Sequence, residues 1–323
     1  MKCISKRLII LSAFFCIFLG GCGSNLKNEY DVLNTSSSFG LGENAYLGFA
    51  QAFSSDLAVI EDNIYNTAVD DSLSEAALIV CLDDNTVNFS KNCYEQLYPA
   101  STTKILTASI VVETCDNLDD TFTISENALD LEYGSSVCGF NAGDTVSVRD
   151  ALYGLILRSG NEAAIALAEY TSGSVDAFAE LMNEKANYTG ATLSHFVNPN
   201  GLTNEEHYTS AYDLYMIFKN ALENEDFYTI ITADSYTAEY TDASGSAVNA
   251  QWTTTNGYLS GSYSAPDGVT VLGGKTGTTS AAGSCLVLLS ESASGKRYIS
   301  VVLNAASHSD LYTQMTQLLE TES

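Results

Sequence analysis

Positive charge is scarce in this chain: 13 Lys and Arg stand against 40 Asp and Glu over 323 residues, a formal net charge of -27. So acidic a surface repels the phosphates of nucleic acid and the headgroups of an anionic membrane, so neither is an expected partner. Any site for an anionic ligand must then be a local arrangement of a few lysines. Cysteine occurs eight times but never as C-x-x-C, and His195, His207 and His308 form no H-E-x-x-H. Zinc-ligand spacing is therefore missing, and no metal or other cofactor is expected. G-x-S-x-G, the turn that presents the serine of many triad hydrolases, is absent as well. So are an internal repeat and an apolar run long enough to span a bilayer comfortably. What is present, at 46% hydrophobic residues, is enough apolar sequence for a real core.

The first residues, MKCISKRLIILSAFFCIFLGGC, carry Lys2, Lys6 and Arg7, then an apolar run from Leu8 to Leu19, then two glycines. That order is an export signal. Its end, Leu19-Gly20-Gly21-Cys22, resembles the bacterial lipobox, in which the signal is cut before a cysteine that carries lipid. The resemblance implies residues 1–22 as signal, Cys22 as a lipidated N-terminus, and a domain held at the extracytoplasmic face of the membrane. Loss of the signal takes the formal net charge from -27 to -30. The remaining cysteines, Cys81, Cys93, Cys115, Cys138 and Cys285, are odd in number, so at least one thiol is expected to be free or buried.

Residues 23–54 are rich in Ser, Asn, Asp and Gly and read as a tether; about 25 such residues would span on the order of 25–30 Å. One domain is expected over 55–323. The apolar patch Leu57 to Ile60 is a candidate first strand, and AALIVCLDD and TVNFS read as a hairpin turning at Asp83-Asp84-Asn85. From about 105 to 231 helical periodicity dominates. SVRDALYGLIL places Ala151, Leu152, Leu155 and Ile156 on one face, while Ser174 and Ser210 stand as N-caps of further helices. After Tyr236 the pattern returns to strands, joined near the end by a turn at Ser294-Gly295, and a last helix begins near Asp310. Strands, helices and strands again imply an α+β fold: an antiparallel sheet built from both ends of the domain, flanked by helices, with an all-helical subdomain inserted.

Three short motifs carry chemistry. In YPASTTKILTA, Ser101 and Lys104 lie three residues apart at the start of a helical pattern, so an amine can reach the hydroxyl and the helix N-terminus can stabilise an oxyanion. A serine hydroxyl needs such a base before it attacks. The spacing alone is weak, since Ser24-Asn25-Leu26-Lys27 shares it and an N-cap serine looks the same. Ser159-Gly160-Asn161 sits at a glycine break between helical runs, although S-x-N recurs at Ser90-Lys91-Asn92 and Ser125-Glu126-Asn127. Lys275-Thr276-Gly277 follows glycines on a strand and occurs once.

Taken in order, S-x-x-K, S-x-N and K-T-G match a three-part signature of serine acyl-transfer enzymes. Here the chain resembles the D-alanyl-D-alanine carboxypeptidases, the low-molecular-mass penicillin-binding proteins, from about Ala76 onward. SGNEAAIALAE, GSVDAFAELMNEKA, HFVNPNGL, SAYDL and GGKTGTTSAAGSCLV also resemble stretches of that family. The resemblance implies a β-lactamase/transpeptidase-like fold and removal of the terminal D-alanine from peptidoglycan stem pentapeptides. Ser101 would be the nucleophile and Lys104 its base, with Ser159 relaying a proton to the leaving amine and Asn161 orienting Lys104. Lys275, Thr276, Gly277 and Thr278 would form the substrate-binding strand, with backbone N–H groups of Ser101 and Thr278 as oxyanion donors. Stem peptides, and β-lactams as inhibitors, are the implied partners. Two features depart from the family. Arg158 stands where proline is expected, and the further all-strand domain and terminal anchor helix that many members carry do not follow the last helix, so lipid on Cys22 would take the anchor's place.

A serine β-lactamase of similar fold needs a glutamate-held water, yet no E-x-x-L-N segment lies between Asn161 and Lys275. A D,D-endopeptidase cutting cross-links would use every residue named above, and so would a non-catalytic penicillin-binding sensor. The sequence leaves those two open.

Overall fold

The computed structural model describes residues 57–322. The signal, Cys22 and the tether lie outside them. Residues 57–60 form no strand: Ala58 and Ile60 are buried in the core, and pairing starts only at an isolated bridge from Ile64 to Ser90. The hairpin β1 (Ser74–Cys81) to β2 (Val87–Lys91) turns as its sequence predicts, with Asn85 at φ 59°, a conformation Asn tolerates. β1 then pairs antiparallel not with its chain neighbour alone but with β9 (Arg297–Ala305), near the other end of the chain. With β7 (Val269–Thr279) and β8 (Gly283–Ser292) this gives a five-stranded antiparallel sheet in the order β2-β1-β9-β8-β7.

Both faces of that sheet are covered, which is why β1, β8 and β9 read as nearly unbroken apolar runs rather than as alternation. One face, with Ala77, Ile79, Leu286, Leu288 and Val302, packs on the last helix of the chain, His308–Glu320, through Leu311, Met315, Leu318 and Leu319. The other, with Leu78, Val80, Val287, Leu289 and Val301, packs on the inserted helices. These are α1 (Lys104–Thr114), α2 (Val148–Leu157), α3 (Asn161–Ser172), α4 (Val175–Thr189), α5 (Ala211–Ala221) and α6 (Glu225–Ile231); the last helix is α7. α1 is buried on nearly every side, from Lys104 to Val112, as befits a helix central to the core.

The insertion is not all-helical. β3 (Thr121–Thr123) and β4 (Thr145–Ser147) lie inside it and join β5 (Ser235–Thr241) and β6 (Ala247–Thr253) in a second antiparallel sheet of order β3-β4-β5-β6. Three-residue strands are too short to show alternation in sequence, so helical periodicity on either side hides them. The α+β class stands, with two sheets in place of one.

Candidate active site

The chain reaches α1 through a tight 3₁₀ turn, Ala100–Thr103. Thr102 Oγ1 donates back to Pro99 O at 2.7 Å and Thr103 Oγ1 to Ala100 O at 2.8 Å, so both threonine hydroxyls are spent within the turn. Ser101 differs. Its hydroxyl caps no helix, and Lys104 Nζ lies 3.0 Å from its Oγ. Lys104 is fully buried, and Nζ also donates to Asn161 Oδ1 at 2.7 Å and to the Asn200 carbonyl at 2.6 Å. A neutral amine has two N–H bonds and one lone pair. The Asn161 and Asn200 oxygens only accept, so in the neutral form of the amine they take both N–H bonds and leave the lone pair to the Ser101 hydroxyl. Burial, and then the like charge of Lys275, hold the Lys104 pKa well below the usual lysine range, with Glu162 opposing.

A second lysine lies beside the second serine. Lys275 Nζ donates to Ser159 Oγ at 3.0 Å and to Thr276 O at 2.9 Å. Burial pushes its pKa down to about 7. Burial thus draws both amines toward the neutral form, and Lys104 is drawn further by the like charge of Lys275. Among the described residues, five non-glycine residues have positive φ; three are asparagines, and the other two are Ala100 and Ser159. Ala100 and Ser159 adopt this conformation at a cost of order 1–3 kcal/mol each, and both belong to the site.

Glycines bring the segments together. A Cβ on Gly201 would lie 1.9 Å from Ala100 O, so only glycine (φ 84°) lets the 198–202 loop close on the turn and aim the Asn200 carbonyl at Lys104. A Cβ on Gly277 would lie 2.9 Å from Ser101 N and 3.0 Å from Pro99 O, so β7 lies directly against the serine turn. β7 is an edge strand, and beside it opens a cleft of about 460 Å³. Ser101 and Asn161 are at its floor, Thr278 to Ala281 on one wall, and Glu132 to Ser136 on the other.

The structure thus brings together Ser101, Lys104 and Asn161 in one group, Ser159 and Lys275 in an adjoining one, with Gly277 and Thr278 alongside. Thr276 is nearly buried, and its hydroxyl shares a 2.7 Å hydrogen bond with Thr255, which leaves Thr278 as the exposed threonine of the four predicted strand residues. Cys22 lies outside the described residues. Sequence reasoning missed Thr255, the Asn200 carbonyl and Glu162. Glu162 is fully buried, and its Oε1 accepts from Cys138 N at 2.7 Å and Gly139 N at 2.8 Å, which fastens the loop of the far wall to α3. His207 is a core histidine: it accepts from Val197 N at Nδ1, so Nε2 faces Thr103 Oγ1 at 2.9 Å as N–H, and burial keeps it neutral with a pKa near 3. Arg158, where proline was expected, is exposed and in none of the ion pairs among the described residues. All five described cysteines are free, four of them buried.

The family model described as D-alanyl-D-alanine carboxypeptidase matches residues 64–307. The chain is 34% identical over 252 residues to D-alanyl-D-alanine carboxypeptidase DacF of Bacillus subtilis, a match that covers 76% of this chain and 61% of the relative. It is 36% identical over 232 residues to a D-alanyl-D-alanine carboxypeptidase of Streptomyces sp. strain K15, with 69% of this chain and 77% of that one covered. The crystal structure of the Streptomyces K15 DD-transpeptidase superposes with a TM-score of 0.71 at 31% identity, over 77% of this chain and 96% of the other. Of the Bacillus relative's length, the chain spans about three fifths. By the extent of the family match and by these likenesses, the chain belongs to the D-alanyl-D-alanine carboxypeptidase family.

Proposed function

We propose that this protein is a serine D-Ala-D-Ala carboxypeptidase that removes the terminal D-alanine from peptidoglycan stem peptides. The observation that carries the reading is the buried Lys104 amine, 3.0 Å from the Ser101 hydroxyl and held in place by two acceptors, Asn161 Oδ1 and Asn200 O. A buried lysine drawn to its neutral form is a general base at neutral pH. Ser101 Oγ attacks the carbonyl carbon of the penultimate D-alanine as its proton passes to Lys104 Nζ. Backbone N–H groups of Ser101 and Thr278 hold the oxyanion. The C–N bond then breaks, and the proton that Lys104 took from Ser101 passes through Ser159 to the departing amine, which leaves Lys104 neutral again while Lys275 keeps its own proton behind Ser159. Water enters, loses its proton to Lys104, and frees the acid as Ser101 recovers its hydrogen. Lys275 and Thr278 receive the peptide's terminal carboxylate, the local cationic spot that so acidic a chain requires. Penicillin enters by the same acylation and stays on Ser101.

The same acyl-enzyme can pass its acyl group to an amine, and one relative's structure is described as a transpeptidase. Water against amine, and a free stem against a cross-link, are separated by product. Protein lacking residues 1–22 is mixed with fluorescent penicillin and with a pentapeptide ending in D-Ala-D-Ala. Expected are labelling and steady release of D-alanine by wild type, and neither by Ser101→Ala. Labelling without release from the pentapeptide would overturn the carboxypeptidase reading in favour of an endopeptidase or a sensor. The lipobox supports anchoring through lipid on Cys22 at the extracytoplasmic face of the membrane.

A further inference from the structure

The far wall of the cleft has a chemistry that the acylation steps do not use. Of all the residues lining the cleft, only Glu132 is charged, and it is in none of the ion pairs among the described residues. Beside it Tyr133 is fully exposed, the most exposed large hydrophobic side chain among the described residues. These two do not hang on a loose tip. Ser135 N donates to Glu132 O at 3.1 Å, Gly134 turns the chain at φ 85°, and Asn161 N donates to Ser136 O at 2.9 Å. Two residues further, Glu162 holds Cys138 and Gly139 by their N–H groups. The rim is therefore tied to the first turn of α3, whose Asn161 contacts the Lys104 amine.

A peptide extended along the edge of β7 fixes what meets this rim. With its terminal carboxylate toward Lys275 and its penultimate residue over Ser101, the residue before the two D-alanines lies one step outward, about 3.3 Å along the strand. Ser280, Ala281, Glu132 and Tyr133 all line the same cleft. The cleft lining thus carries one carboxylate beside an exposed aromatic ring and no cation, which is complementary to a peptide with a cationic side chain at this position. We propose that Glu132 and Tyr133 form a cation-accepting rim that takes the side-chain ammonium of the stem-peptide residue preceding D-Ala-D-Ala. The carboxylate pairs with the ammonium, and the phenol ring offers its face to it. This deepens the reading above and rests on it for the placement of the peptide.

The test uses two tripeptides ending in D-Ala-D-Ala, one with a free lysine ε-amine at the third position and one with that amine acetylated. For D-alanine release, wild type should show a kcat/KM about five- to tenfold higher for the free amine, a preference that shrinks as salt is raised. Glu132→Gln should bring the ratio to within about twofold of unity, and Tyr133→Ala should lower it in part. The same peptides are also made to compete with fluorescent penicillin for Ser101, which reads occupancy of the cleft without turnover. Release with no amine preference in wild type, or a preference that Glu132→Gln leaves intact, overturns the rim. Absence of release with amine-dependent competition overturns the carboxypeptidase reading and leaves the rim standing; absence of both overturns the rim as well.

Discussion

At the scale of single residues, two buried lysines divide the labour by where their protons are. Burial draws the Lys104 amine toward its neutral, proton-accepting form, while Lys275, with a pKa of about 7, can still carry a proton. Such burial has a stability signature. Between pH 7 and 10.5 the unfolded chain keeps the Lys275 proton that the folded protein has released, so stability rises with pH across that window. Read the other way, the cost of burying Lys275 grows as pH falls from 10.5 and is complete below about 7. Wild type should therefore gain roughly 2 kcal/mol more than Lys275→Met between pH 7 and pH 9 in urea unfolding. Equal gains would mean that burial does not lower the Lys275 pKa to about 7. Comparing the two proteins cancels the buried tyrosines and thiols that titrate in the opposite sense. Ser101, Lys104, Ser159, Asn161 and Lys275 were all legible in the sequence, because each motif carries its chemistry in side chains at fixed spacing. Their third-party partners were not: a backbone carbonyl such as Asn200 O has no residue signature, and Thr255 meets Thr276 only because β7 passes the segment after β6.

At the scale of elements, helix starts separate structural work from chemical work. α2, α4, α5, α6 and α7 each begin with a Ser or Asn side chain accepting from a backbone N–H of the first turn, whereas α1 and α3 have no side-chain cap. Those two bring Lys104 and Asn161 to the site. The sequence could not tell whether Ser101 caps the helix; the structure shows that it makes no cap hydrogen bond and that its hydroxyl meets Lys104. Ser174→Ala, which removes an exposed cap from α4, should cost roughly 1 kcal/mol and leave penicillin labelling unchanged. Gly277→Ala should do the reverse. Its methyl would meet the Ser101 backbone N at 2.9 Å and lift β7 from the serine turn, so the acylation rate should fall roughly a hundredfold in a protein whose circular dichroism is unaltered. A Gly277→Ala protein that acylates at the wild-type rate would show that the close approach of strand and turn is dispensable.

At the scale of the whole molecule, the five-stranded sheet is assembled from strands more than two hundred residues apart, with Ala76 opposite Leu303 and Ser74 opposite Ala305. That closure was legible as strand pattern at both ends of the domain. The second sheet was not, because β3 and β4 are too short to announce themselves. The acidity of the chain acts at this scale too. On the proposal that residues 1–21 are cut off before a lipidated Cys22, the remaining chain has a formal charge of -30 and is repelled by an anionic bilayer, with no electrostatic hold of its own on the membrane. One acyl chain alone gives marginal binding, while the two or more on a lipidated cysteine give stable anchoring. Membrane association should thus depend on Cys22 almost entirely. Cys22→Ala, exported through the same apolar run, should move from the membrane fraction to the soluble fraction at any salt concentration while keeping its penicillin label. Were a salt-sensitive share of Cys22→Ala to stay on membranes, a protein surface would be holding it, and the proposed lipid anchor would fall.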